Sequence, residues 1–402
     1  MVAAAAVGGL VLFSNQADAI PPLPPLSAQQ LADNVASATP TAFSGQVEVT
    51  TNIGLPDLSG VTNLFGMQDP SLISLLAGTT TIKVAADPAV GGRAEIDSAT
   101  SAYVAVTNAA SRDGWIYSSG TNSATHLVAP ASLPAGHEGK PADPAETPPT
   151  PQSVAQQALD ALTPSTTLTV LDNVMVAGRA AYTLQLTPND AGSLVTSVDI
   201  AVDASTWLPL KAQIWATSLP TTPSLSVAFT SISYATPDAA LFAFTPPSGT
   251  TVKTVDLGAM VPSHEAGQPA DQADPMDPAD PAESSDASRP AATVVAGQGW
   301  ASVVQVTNLP AEVSAALADP AQLGSLLAGG GAPAEPTRGH HDHGGASSAA
   351  SLSQLLGAVA QPTPQGTMYS TYLFSLLVTP SGHVYAGAVP ASAVAAAASA
   401  HE

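Results

Sequence analysis

His340-His341-Asp342-His343 is the set of side chains best suited to hold a metal ion. Three imidazoles and a carboxylate are ligands for zinc, nickel or copper. Their flanks, Gly329 to Ser348, are Gly-rich, so no fixed ligand geometry or supporting shell is built before binding. His137-Glu138 and His264-Glu265 add ligands only if their loops converge on the same point. A solvated polar loop is the reading adopted, and neither a metal site nor a cofactor is assigned. A second set, Asp271, Asp274, Asp277, Asp280, Glu283 and Asp286, offers hard oxygens of the kind calcium takes. It lacks the glycine-turn spacing of a calcium loop, and the prolines among the carboxylates describe an extended linker. No Gly-x-Ser-x-Gly elbow, Ser-x-x-Lys pair or phosphate-cradling Gly-x-x-x-x-Gly-Lys run occurs. No catalytic residue is assigned, and the sequence does not read as an enzyme.

Composition excludes further classes. Lys plus Arg is 9 and Asp plus Glu is 31 in 402 residues, a formal charge of −22. A chain so poor in bases cannot displace the counterions of a nucleic acid or form a polybasic membrane patch. With no Cys there is no disulfide, thiol nucleophile, Cys–zinc site or lipid-bearing thiol. The hydrophobic fraction of 45% is enough for a sizeable core.

Val2 to Phe13 is an apolar run too short to span a membrane, and Ala17-Asp18-Ala19 is a small-x-small cleavage pattern. Residues 1–19 therefore read as a secretory signal peptide, although no Lys or Arg precedes Lys83. The expected location is secreted, in the extracytoplasmic cell envelope. The Ala-rich, Lys-poor composition suits a GC-rich bacterial genome. The body of the protein is expected at 20–261, with a Pro-rich insertion at 134–149. An acidic Pro-rich linker follows at 262–290. Residues 291–402 are read as strands and helices completing the same domain, with the Gly/His-rich loop at 329–348. The insertion and the linker share a low-complexity motif, HEGKPADPAE at 137–146 and HEAGQPADQADPMDPADPAE at 264–283.

The elements that must position any site are mostly strands. Val47, Val49 and Ile53 alternate with polar residues, as do Tyr182, Leu184 and Leu186, and Val198, Ile200 and Val202. Period two with one polar face predicts a sheet packed on one side. Further strands are predicted at 80–86, 93–98, 102–107, 113–118, 124–129, 167–171, 207–217 and 224–234, then at 293–306, 367–379 and 382–389. Met368 to Val378 is apolar on both faces and reads as one central strand. Ser27 to Gln30 forms a capping box opening a helix to about Ala38. Asp69-Pro70 and Gly78 bracket a second helix, Thr150-Pro151 and Thr163-Pro164 a third, and Asp319-Pro320 and Gly329 a fourth. The class is α+β, an antiparallel sheet with short helices on its apolar face.

This order of elements resembles the LolA-like lipoprotein-carrier superfamily in its actinobacterial envelope form. The resemblance is carried by SAQQLADNVASATPTAFSGQVEVTTNIGLPDL (27–58), SLISLLAGTTTIKV (71–84), DGWIYSSGTNSATHL (113–127) and TPQSVAQQALDAL (150–162). It continues in 177–216, 227–252, 297–306 and 372–390. The acidic linker and the His-rich loop depart from the family's pattern, and no residue is assigned to its cavity-closing Arg. The resemblance implies a curved antiparallel sheet forming an incomplete barrel, with short helices covering its concave apolar face. It implies a lipid or lipoprotein acyl chain as the ligand. The alternative is a sensor related in fold to the RseB/MucB group, with an anti-sigma protein as its envelope partner. A third reading is a cell-surface structural or metal-buffering protein. Candidate groove or lid residues are Leu72, Ile73, Leu75 and Leu76, together with Trp207 and Trp215, which period two places on one face with Lys211 and Gln213.

Overall fold

The computed structural model describes residues 22–54, 77–97, 101–128, 165–256, 291–309, 311–319 and 360–401. The predicted signal peptide, the three low-complexity stretches and Leu72, Ile73, Leu75 and Leu76 lie outside them. So do the helix predicted from Thr150 and nearly all of the one predicted from Asp319.

The first helix, α1 (Ala28–Ala36), begins as its sequence dictates. The Ser27 side chain accepts from the Gln30 backbone N–H, and the Gln30 side chain accepts from the Ser27 N–H. Then come β1 (Phe43–Asn52), β2 (Ala77–Asp87), β3 (Gly91–Asp97), β4 (Ala102–Asn108), β5 (Asp113–Ser118) and β6 (Ser123–Val128). A second run follows: β7 (Thr166–Val176), β8 (Arg179–Pro188), β9 (Val195–Asp203), β10 (Pro209–Ala216), β11 (Leu225–Ser233) and β12 (Thr251–Asp256). These form one twelve-stranded sheet in the order β12-β6-β5-β4-β3-β2-β1-β11-β10-β9-β8-β7. Every pair is antiparallel except β12 with β6. The sheet does not close; β12 and β7 are its two edges, so the architecture is an incomplete barrel. Gly78, expected to stop a helix, lies instead in β2 opposite Thr51. With φ of +111° it uses the conformational freedom of glycine, but within a strand.

The described residues between 291 and 401 build a second sheet: β13 (Ala291–Ala296), β14 (Val303–Thr307), β15 (Ala360–Thr363), β16 (Gly366–Ser370), β17 (Ser375–Val378) and β18 (Val384–Gly387). Its order is β13-β14-β18-β17-β16-β15. The run 293–306, expected as one strand, is a hairpin turning through Gly297, whose φ is +71°. Met368 to Val378 is also a hairpin. Thr371 Oγ1 accepts from the Leu373 and Phe374 N–H groups and closes the turn without Gly, Pro or Asn. Two further helices are α2 (Ala311–Ala318) and α3 (Ala391–His401). Val394, Ala397 and Ala398 of α3 bury themselves against Val303, Met368, Leu377, Tyr385 and Val389. The sheets are joined by backbone bonds, Leu194 N–H to Ala388 O at 2.7 Å and Tyr372 N–H to Ile53 O at 2.8 Å. The Trp300 indole adds a bond to Thr166 Oγ1 at 2.8 Å.

One charged cluster fixes the β8–β11 end of the large sheet. Asp203, fully buried at the end of β9, accepts from the Ser205 and Thr206 N–H groups, from Arg179 and from the Tyr234 hydroxyl. The Arg179 guanidinium also lies over the Tyr234 ring, 4.7 Å from its centroid. Burial by itself would raise the Asp203 carboxyl; the guanidinium and the two backbone donors outweigh it and hold the group below the ordinary carboxylate range.

Two outcomes are expected. Gly45→Ala would drive a Cβ into the Ser231 carbonyl oxygen, where β1 is bulged against β11. The strands must separate, at a cost of about 1–3 kcal/mol, read as a lower denaturant midpoint with an unchanged slope. Asp203→Asn leaves the guanidinium without its charge partner and should cost about 3 kcal/mol at neutral pH. A carboxyl depressed in the folded state contributes above its unfolded pKa and loses that contribution as pH falls toward its folded one. The stability gap between wild type and Asp203→Asn should therefore be widest at neutral pH and shrink below about pH 4. A gap independent of pH would show that the charge is not what stabilises this end.

Candidate functional site

The two faces of the large sheet differ in chemistry, because adjacent residues of a strand point to opposite sides. One face is apolar. At its β7–β9 end α1 inserts Leu31 and Ala32 among Tyr182, Leu184 and Val202. The same face runs on beyond α1. Leu184, Ile200, Ala212, Val227 and Val49 stand directly opposite one another across β8, β9, β10, β11 and β1. Val84, Ala94, Ala105 and Ile116 form a second such row across β2 to β5. Apart from Leu184, all of these are only half-buried. Ala212, Ala94 and Ala105 are the small residues among these Val, Ile and Leu side chains. Among the described residues, the sheet strands that α1 packs on most extensively are β7 and β8.

The opposite face is polar along β1–β3 and β7–β11. Lys83 pairs with Asp97 and Glu95, and Arg93 with Glu95. Toward β4–β6 this face turns apolar and is covered: Phe242 is buried, and Phe244 lies 5.7 Å from the Trp115 ring and 5.6 Å from Tyr117. Trp115 also stacks on His126 at 4.1 Å. The His126 Nε2 to Asp113 contact is 3.0 Å, and Ser111 donates to the other Asp113 oxygen. These three residues are the types of a hydrolytic triad in the wrong order. The hydroxyl sits on the carboxylate, so no base is placed to take its proton. The Ser111 bond is the largest influence lowering the Asp113 carboxyl, with burial opposing it and His126 adding to it.

On the same face, at β7–β10, is a groove of about 620 Å³. β7 is irregular after Leu171 and approaches β11, and Val176, Ala181, Ala201 and Leu210 form a buried cluster that shares Ala201 and Val174 with the groove. Leu171, Val174 and Ala201 form its apolar part; Thr183, Asp199, Lys211 and Gln213 supply polar groups. Asp199 is fixed from both sides, its oxygens accepting from Gln185 Nε2 and Trp215 Nε1, each at 2.8 Å.

The two candidate tryptophans are not on one face. Trp215 is on the polar face with Lys211 and Gln213, as the alternation predicts. Trp207 precedes β10 with φ of +60°, and its ring packs into the α1 cluster, 6.0 Å from Tyr182. A register shift between Pro209 and Lys211 breaks the period-two count that joined them. The groove was missed in the sequence for a related reason. Lys211 and Asp199 read as an ordinary wet face until β7 brings Leu171 and Val174 beside them.

No helix among the described residues is long and apolar enough to cross a membrane. Among the same residues no group of three or more metal-ligating side chains is gathered. No protein-family model matches the sequence, and no curated protein does. Solved structures similar to this chain include a crystal structure of MucB, 18% identical, which matches over 55% of this chain and 63% of its own length with a TM-score of 0.32. The Pseudomonas aeruginosa MucA/MucB complex matches at 14% identity over 92% of this chain and 95% of that one, TM-score 0.38. A LolA superfamily protein from Nitrosomonas europaea is 14% identical over 55% of this chain and 99% of its own, TM-score 0.20. Solved structures similar to this chain thus include those of MucB and of a LolA superfamily protein.

Proposed function

We propose that this protein acts in the extracytoplasmic cell envelope and binds a lipid or a lipoprotein acyl chain, as a carrier does. The observation that supports this reading is the apolar face of the large sheet, which continues half-buried past α1 over seven further strands' width. Such a face suits a flexible hydrocarbon better than a rigid polar molecule. Each methylene it buries contributes about 0.8 kcal/mol, so one long chain reaches useful affinity without any bond being made. Trp207 stands at the α1 end of this face and forms its wall. Leu72, Ile73, Leu75 and Leu76 are assigned the role of lid. Trp215, on the other face, has no part in this site.

The second reading is a regulatory sensor that binds an anti-sigma partner. An outer strand of the small sheet, among the described residues, favours it. β13 is an outer strand, and its Val294 is 58% exposed, a surface to which an extended peptide can add as a further strand.

The test is native mass spectrometry of protein purified gently from a bacterial envelope, beside titration with a fluorescent acyl probe. A mass excess removed by lipid extraction, and saturable probe uptake, are expected. Val84→Gln and Ile116→Gln, both at half-buried positions, should each weaken the probe roughly tenfold, since each removes apolar area worth about 1.5 kcal/mol. A clean apo mass together with no probe uptake would overturn the reading and favour the protein partner.

A further inference from the structure

The groove on the polar face poses a separate question, because it contains polar groups that the fold itself leaves unused. In this chain acids outnumber bases 31 to 9, so a cation ordinarily finds a carboxylate. Lys83, Arg93 and Arg179 each do. Lys253, exposed on the edge strand β12, and Lys211 do not; Lys211, half-buried within the groove, forms no ion pair or hydrogen bond with any residue described. Its neighbour Gln213 makes no side-chain hydrogen bond among them either. Thr183, only 9% exposed, has a buried Oγ1 with no partner. An unmet buried hydroxyl costs about 1–3 kcal/mol.

These groups share one row. Thr183 and Lys211 flank Ala201 directly, Thr183 from β8 and Lys211 from β10, so their Cα atoms are two strand spacings apart, roughly 10 Å. Ala201 has no side chain long enough to fill the gap. A flexible lysine on one side and a hydroxyl on the other can therefore meet over it, with Gln213 one step along the strand. Asp199 and Asp172 line the groove, and Glu48 lies two strands beyond Lys211 in the same row. Both oxygens of Asp199 already accept from Gln185 and Trp215, and it forms no ion pair with Lys211. Leu171 and Val174 wall the other side.

We propose that this groove is a binding site for a small oxyanion with an apolar body, a carboxylate or phosphate monoester. Lys211 holds the charged oxygen, Thr183 and Gln213 complete its hydrogen bonds, and Leu171, Val174 and Ala201 contact the apolar part. The site lies on the opposite face of the sheet from the acyl-binding surface and does not depend on it.

Trp215 provides the readout, since its indole N–H bonds to the groove's own carboxylate and the chain has four tryptophans. The four indole signals are followed by nitrogen-proton NMR of the full chain, with Trp215 assigned through Trp215→Phe. Phenyl phosphate is the probe. It should shift the Trp215 signal saturably, and added salt should weaken it. Inorganic phosphate, which lacks the apolar body, should bind more weakly; equal affinity would show that the apolar wall is not used and would overturn that half of the assignment. Lys211→Met and Thr183→Val keep side-chain shape and should leave the other three indole signals in place. Lys211→Met should weaken phenyl phosphate about tenfold or more, as loss of a charge-assisted hydrogen bond requires. Thr183→Val should weaken it by a smaller factor. The proposal is overturned if Lys211→Met binds as wild type does, if phenyltrimethylammonium binds as tightly as phenyl phosphate, or if no saturable shift occurs. None of these outcomes touches acyl-probe uptake, so the two sites stand or fall separately.

Discussion

The double pairing of β1 is the constraint from which the large sheet follows. β1 pairs with β2 along all ten of its residues and with β11 along most of the same length. It is the seam between two meanders, β2–β6 and β7–β11, that otherwise make only local hairpins. Its partner β11 is far away in sequence, so this ladder carries the loop-closure cost that the hairpins avoid. The return on that cost is a continuous face. Without the seam, the apolar rows of β8–β11 and β2–β5 would be two small patches, neither long enough to hold a hydrocarbon chain. Gly45 sits where the seam is tightest, and its missing side chain allows the two backbones to approach.

Given the seam, the pleat assigns the chemistry. Ile200 and Ala201 are consecutive in β9, yet Ile200 faces the apolar row and Ala201 the polar groove. The same separation recurs in β10, where Ala212 lies between Lys211 and Gln213. A single sheet therefore presents an apolar surface and a polar one only a strand's thickness apart. Toward β4–β6 Phe242 and Phe244 cover the second face, so that end has a packed layer where β7–β10 have an open groove.

How much of this was legible depended on whether a local rule was obeyed. α1 was readable because its capping box is local and complete. The strands of the large sheet were readable because burying one face imposes strict alternation. The alternation failed at bulges. A bulge adds one residue at Pro209 to Lys211, and with it the shared face of Trp207 and Trp215 disappears. The irregularity after Leu171 falls where β7 lines the groove, and nothing in TTLTVLDNVMV marks it. In the small sheet the hairpin at Thr371 lacked turn residues, because a threonine hydroxyl does the work of a glycine or asparagine there. Helix α3 was missed because ASAVAAAASAH has no apolar stripe to count. Alanine favours helix at every position, and Val394 with two alanines is enough to bury one side.

Charge unites these features. With 31 acids and 9 bases, each ordered cation is a scarce means of relieving repulsion. Lys83 and Arg93 relieve it on β2 and β3, and Arg179 neutralises the one carboxylate that is completely buried among the described residues. Asp203 in turn fixes the turn into β10, and so the position of everything that follows on that strand. The Arg179–Asp203–Tyr234 cluster thereby sets the register in which Ala212 meets the apolar row and Lys211 meets the groove. An overall negative field of this size repels small anions at long range, and salt screens that repulsion within about 8 Å at physiological strength. Selectivity for an anion on such a protein must therefore be local. It requires a lysine close to the bound atoms and a neighbouring carboxylate already bonded to other donors. Lys211 and the doubly bonded Asp199 have that arrangement.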